Sequence, residues 1–172
     1  MDRTDPELRT DERTSIEQFL DYHRATLISR IEGLTIEQLS ITHPPSELTL
    51  AGLIKHVAHT EATWAAFAER GPEAFGRQDW SPEAWAAEWR LGDGETLAGL
   101  LAEYEEIARR TDELVATLDL DAAYPLPEAP WFPRGATRSV RRTFLHVIAE
   151  TAQHAGHADI LRESIDGQKT MG

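Results

Sequence analysis

Apolar residues recur at helical spacing along four long stretches of the chain, and the pattern breaks between them at glycine and proline. In the first stretch Ile16, Phe19, Leu20, His23, Leu27 and Ile31 form an i, i+3, i+4 stripe. It predicts a helix capped by Thr14 or Ser15 that runs to about Glu32 and is stopped by Gly33. Thr35 to Leu39 predicts one short helical turn before Pro44 and Pro45. Leu50, Leu53, Ile54, Val57, Trp64 and Ala68 define a second helix, from about Leu48 to Arg70, ended by Gly71-Pro72. A third, from Glu95 or Thr96 to about Leu118, turns Leu97, Leu100, Leu101, Tyr104, Ile107, Ala108, Leu114 and Leu118 to one side. Its Glu103, Glu105, Glu106, Arg109 and Arg110 read as a solvated face with i, i+4 pairs. The fourth starts at a cap on Thr137 or Ser139 and ends at Ile165, before Asp166-Gly167.

The connections are of unequal length. Residues 71 to 94 hold Trp80, Trp85 and Trp89, and Ser81-Pro82-Glu83 predicts a short helix through Arg90. These aromatics either plug the end of a bundle or line the mouth of a pocket. Residues 119 to 136 carry Pro125, Pro127, Pro130 and Pro133, which predicts a second irregular crossover leading through Trp131, Phe132 and Arg134 into the last helix. No convincing strand pattern is present. The expected fold is an all-α four-helix bundle with long crossovers, one domain over residues 12 to 167, preceded by a charged tail over residues 1 to 11.

Polar residues inside the apolar faces carry the chemistry. In Phe144 to Arg162, His146, Glu150, His154 and His157 project within roughly an 80° arc of one helix. Glu150 and His154, one turn apart, can bind one ion from the same face, and His56 on the second helix is the best third ligand. Such a His, Glu, His set leaves coordination positions open for water or substrate. Glu-x-x-x-His pairs also arise as ordinary salt-bridged surface groups. His157, three residues beyond His154, is expected to border the ion without binding it. His59 falls nearly opposite the apolar face and is expected to point outward. His23 is either a core histidine or a wall of the site, and Glu61 either supports the site or forms an interhelical ion pair.

The chain of 172 residues has no cysteine, so disulfides, thiolate ligands and cysteine nucleophiles are all excluded and any metal has nitrogen and oxygen ligands. A formal charge of −13 disfavours nucleic acid and anionic lipid as partners. The one basic cluster, Arg134 to Arg142, suits a small acidic ligand instead. No apolar run reaches the length of a membrane span and the first residues lack a signal peptide's apolar segment, so the expectation is a cytoplasmic protein.

The segment His56 to Trp64, HVAHTEATW, resembles the H-x4-E-x2-W stretch of the DinB-like superfamily of bacterial four-helix proteins. His146 to Asp159, HVIAETAQHAGHAD, is similar to that superfamily's last-helix motif, and the resemblance extends from about Asp11 to Gly167. Many members have histidine where Glu150 stands, a departure shared with the N-terminal domain of mycothiol-dependent maleylpyruvate isomerases. The resemblance implies an up-down-down-up bundle, usually a homodimer, with a divalent ion, zinc or sometimes nickel, on His56, Glu150 and His154. It also implies a low-molecular-weight thiol, mycothiol or bacillithiol, used in transferase or isomerase reactions on a small-molecule substrate. Within that reading His157, His23 and Glu61 are the candidate catalytic groups, and Trp131 and Arg134 the candidate contacts to the thiol. The competing expectations are a non-catalytic metal- or ligand-binding protein and a metal-dependent hydrolase.

Overall fold

Asp11, which the polar pattern assigns to the tail, instead begins the first helix. Its Oδ1 accepts from the Thr14 backbone N–H at 3.0 Å, so α1 spans Glu12–Ser29 and is capped three residues before Thr14, the earlier of the two expected caps. A carboxylate there satisfies an orphan donor and opposes the helix dipole together. The computed structural model describes residues 11–44, 46–76 and 81–170. Residues 1 to 10 of the tail expected over 1 to 11, and the positions of Pro45 and Trp80, lie outside the described residues.

The short turn is α2, Ile36–Leu39, closed by a capping box between Thr35 and Gln38. The second long helix is α3, Leu50–Arg70, capped by Thr49, and a 3₁₀ turn over Gly71–Phe75 follows it. Ser81 caps α4, Pro82–Glu88, as Ser-Pro-Glu predicts. Thr96 caps α5, Leu97–Thr117, and Ser139 rather than Thr137 caps α6, Val140–Asp166.

Contacts between the helix ends give the topology. Arg13 near the start of α1 bonds the carbonyls of Val115 and Leu118 at the end of α5, so these two are antiparallel. Arg141 at the start of α6 pairs with Glu12 at the start of α1, so those two run the same way. Lys55, early in α3, bonds Glu95 just ahead of α5, while His56 meets His154 and Trp64, further along α3, meets His146, further back in α6. The long helices therefore run up, down, down, up, with α1 and α3 each packed on α5 and α6.

The second crossover departs from the expectation of irregular chain. Ala123–Pro125 (β1) pairs antiparallel with Thr137–Ser139 (β2), setting Tyr124 opposite Arg138. Pro125 is tolerated because it ends its strand, where it takes no donor from a central ladder. The ribbon continues in the bonds Leu126 N–H to Ala136 O and Val140 N–H to Ala122 O, at 2.9 and 2.8 Å.

The core is divided in two. One cluster holds Leu27, Leu53, Ile54, Val57, Leu100 and Leu161, the other Leu20, Trp64, Phe67, Val115, Phe144 and Val147. Between them Glu61 is completely buried and takes both oxygens to Arg24, Oε1 from Nη2 at 2.5 Å and Oε2 from Nε at 3.2 Å. Asp112 on α5 receives Nη1 of the same arginine at 2.9 Å. This is the interhelical ion pair, and it turns Ile16, Leu20, Arg24 and Leu27 inward on α1. Phe19 and His23, expected in that stripe, fall on its outer flank, Phe19 being exposed.

Gly52 fixes the first crossover against α3. A Cβ there would stand 1.9 Å from the Trp89 carbonyl oxygen, so only glycine lets the two backbones touch. Lys55 adds bonds to the Ala87 and Arg90 carbonyls, each 3.2 Å, and to Glu95 at 2.8 Å.

Two outcomes follow. Glu61→Ala leaves the Arg24 guanidinium buried without its main partner and should lower the unfolding free energy by about 3 to 5 kcal/mol in urea titration. Gly52→Ala should lower stability by about 1 to 3 kcal/mol through overpacking and move the Trp89 ring, seen as a changed tryptophan emission spectrum.

Candidate metal centre

Antiparallel packing of α3 on α6, in which Trp64 meets His146 and His56 meets His154, brings one residue from the first half of α3 against two from the middle of α6. His56, Glu150 and His154 each offer one ligand atom, and these atoms lie within 4.8 Å of one another. His154 is buried and the other two are half-buried. His154 Nε2 stands 3.7 Å from Glu150 Oε2, and the His56 and His154 rings meet edge-on at 4.9 Å. Donor atoms held about 2.1 Å from one tetrahedral ion are about 3.4 Å apart, so small side-chain rotations would close the set.

Protonation suits metal binding. Burial pushes the His154 imidazole down to about 4, with the charges of His56 and His157 adding to the effect. Burial also lowers His56, against the pull of Glu88. Both rings are therefore neutral near pH 7, with a nitrogen lone pair free for an ion. Among the described residues no lysine or arginine ion-pairs with Glu150, whose close partners are His154 and His146. An unclaimed carboxylate beside two neutral imidazoles fits a divalent cation.

The surroundings are aromatic. Trp89 stacks on the His56 ring with centroids 4.0 Å apart and planes at 23°, and Trp85 meets it edge-on at 6.4 Å. These two tryptophans therefore wall the site rather than plug the bundle, and with Glu47 and Arg90 they line a cavity of about 290 Å³. On the other side His146 Nε2 is 3.7 Å from Glu150 Oε1, and its ring meets Trp64 edge-on at 4.9 Å. Burial, with Arg138 and Arg142, pushes His146 down to about 4.

The remaining candidates are distributed unevenly. His157 comes to the ligand set, its Nδ1 3.3 Å from His154 Nδ1. His23 stacks with Phe19 and meets Tyr22, both on its own helix, at 6.2 and 5.1 Å, and among the described residues it makes no ring contact or hydrogen bond with the triad. Glu61 has both oxygens on Arg24. Arg134 lines a separate cavity of about 300 Å³ with Phe132, and Trp131 is exposed and edge-on to Phe132 at 6.2 Å. His59, expected to point outward, is half-buried with Nδ1 at 2.9 Å from Glu88 Oε1. The residues that sequence reasoning left unassigned are Trp89, His146 and Arg138. His146 shares the α6 arc, Trp89 is one of the aromatics that could line a pocket mouth, and Arg138 lies in the basic cluster Arg134 to Arg142, but the crossover and the unforeseen strand that aim the last two leave no periodic pattern.

The family model for mycothiol-S-transferase matches residues 15–167. No curated protein matches the chain. Among solved structures, a conserved protein from Enterococcus faecalis superposes with a TM-score of 0.70, covering 93% of this chain and 100% of that one. At 11% identity this similarity speaks for the fold alone. The family match over residues 15–167 shows that the chain belongs to the mycothiol-S-transferase family, within the DinB-like superfamily.

Proposed function

We propose that the protein is a metal-dependent transferase that joins a low-molecular-weight thiol, mycothiol in the first instance, to a small electrophile. The observation that carries this reading is the convergence of His56, Glu150 and His154 within 4.8 Å on two helices of a chain whose family match is to mycothiol-S-transferase. A divalent ion held there, zinc or nickel, would lower the pKa of a thiol and keep the thiolate near its target. The protein has no cysteine, so the reacting sulfur comes with the cosubstrate.

The chain's own groups have separable tasks. His154 Nε2 faces Glu150, so its Nδ1 is the atom left to face His157 Nδ1, and one of the two must donate. We assign the proton to His154 Nδ1 and the acceptor role to His157. That bond holds the His154 ring in the tautomer whose Nε2 lone pair points at the ion. His157 is thus a positioning residue. Trp89 limits rotation of His56 by stacking and, with Trp85, sheds water from that side. With its oxygens on Arg24, Glu61 is poorly suited to the base that a hydrolytic reading needs.

Two measurements test this. The wild-type protein should carry about one divalent ion per chain by elemental analysis and consume an electrophile only with thiol present. His154→Ala should lose the ion and the turnover, His157→Ala should weaken metal affinity by about tenfold to a hundredfold, and His59→Ala should keep the ion. Full metal retention by His154→Ala would reject the site. Exposed Phe19 and Tyr22 on α1, with Leu145 and Ile160 on the adjoining α6, support a two-fold homodimer as well. Light scattering at micromolar concentration should return twice the chain mass, and a monomer would reject the dimer.

A further inference from the structure

Arg138 is a buried cation with no assigned task. Strand β2 alternates exposed, buried and half-buried through Thr137, Arg138 and Ser139, so this arginine enters the interior with 9% of its surface exposed. Its guanidinium carbon lies 4.2 Å over the Trp64 ring and 5.8 Å from the centroid of Phe132. Stacking occupies the flat face of the group and leaves its in-plane donors to be satisfied separately. Here Nε and Nη1 are buried without a hydrogen-bond partner. Among the described residues no carboxylate forms an ion pair with it, and Glu150 acts on it only across a distance. Buried, charged donors with nothing to bond are costly, and an anion bound along the Nε edge would remove part of that cost.

The position of this group bears on the metal centre. Trp64 carries Arg138 on its face and meets His146 edge-on at 4.9 Å, while His146 reaches Glu150 at 3.7 Å. Arg142, one helical turn on, adds positive potential felt by both His146 and Arg138. A corner of positive sign in a chain of net charge −13 selects for anions locally. A carboxylate can take Nε together with Nη2, the side-on fork by which Arg24 holds Glu61, while Nη1 on the opposite edge is left for a second acceptor, and the nearby Glu150 charge disfavours a ligand with a second negative group.

We infer that Arg138 binds the carboxylate of the electrophilic substrate beside the metal centre, so that the preferred substrates are small electrophiles bearing one acid group. This rests on the transferase reading above and narrows its substrate class. Monomethyl fumarate carries one carboxylate on an electrophilic alkene, and dimethyl fumarate is the same skeleton without charge. Each is titrated calorimetrically, without thiol, into zinc-loaded and into chelator-stripped protein. Monomethyl fumarate should bind both forms, Arg138→Gln should weaken it at least tenfold and Arg138→Lys by less, and dimethyl fumarate should not distinguish the variants. Equal affinity of monomethyl fumarate for wild type and Arg138→Gln, or no binding to either form of the wild type, overturns the inference. Arg138-dependent binding in protein that takes up no zinc would sustain it while the metal reading fails, and zinc uptake without Arg138 dependence would do the reverse. Because no protein group bonds Nε or Nη1, Arg138→Gln gives up only the stacking on Trp64 and Phe132 and should melt within about 5 °C of wild type. A fall of more than about 5 °C would instead make Arg138 a structural cation and overturn its role in binding.

Discussion

The rotation of α3 about its own axis is the constraint on which the site depends. Glu61 fixes it, because a fully buried carboxylate must meet Arg24 from α1 across the diagonal of the bundle. With Glu61 aimed at α1, His56 five residues earlier lies about 140° round the helix and faces α6. A different phase would keep α3 amphipathic and still separate His56 from Glu150 and His154. The ion pair also divides the apolar core, one cluster packing beside α2 and the other beneath the β1–β2 ribbon. Burying a pair contributes little net stability compared with apolar packing, so its worth here lies in specifying one helix register.

Around the ligand set the two crossovers act as unlike walls. The first is clamped to α3 through Gly52 and Lys55 and delivers aromatic surface, Trp89 and Trp85, to the His56 side. The second delivers a cation, Arg138, to the Glu150 side by way of a two-stranded ribbon. A thiol with a large neutral body and an acidic electrophile could therefore approach one centre from opposite sides. The charge separation is local, since among the described residues Arg24, Arg30, Arg109, Arg110, Arg141 and Arg162 all sit in ion pairs with carboxylates.

Much of this was legible in the chain because helical periodicity is long-range in sequence. The four long helices and the grouping of His56 with Glu150 and His154 follow from residues spaced by turns, and the Ser81 cap from Ser-Pro-Glu, whereas Thr137 and Ser139 are equal candidates for the last cap until β2 takes Thr137. What escaped depends on partners distant in sequence. Nothing in the periodicity marks Arg24 as buried until Glu61 faces it, so the apolar stripe of α1 runs through Phe19 and His23 in sequence but not in the fold. Pro125 argues against a strand in isolation, yet β2 needs only three residues opposite it to turn Arg138 inward. His59 lies opposite the apolar face but meets Glu88 because α4 folds over that side of α3.

X-ray absorption at the metal edge tests the central claim most directly. Zinc-loaded protein is expected to show a first shell of two imidazole nitrogens with carboxylate and water oxygens at about 2.0 to 2.2 Å. Addition of mycothiol should bring in one sulfur scatterer at about 2.3 Å. A shell without imidazole contributions, or one unchanged by saturating thiol, would contradict a thiol-binding metal centre on His56, Glu150 and His154.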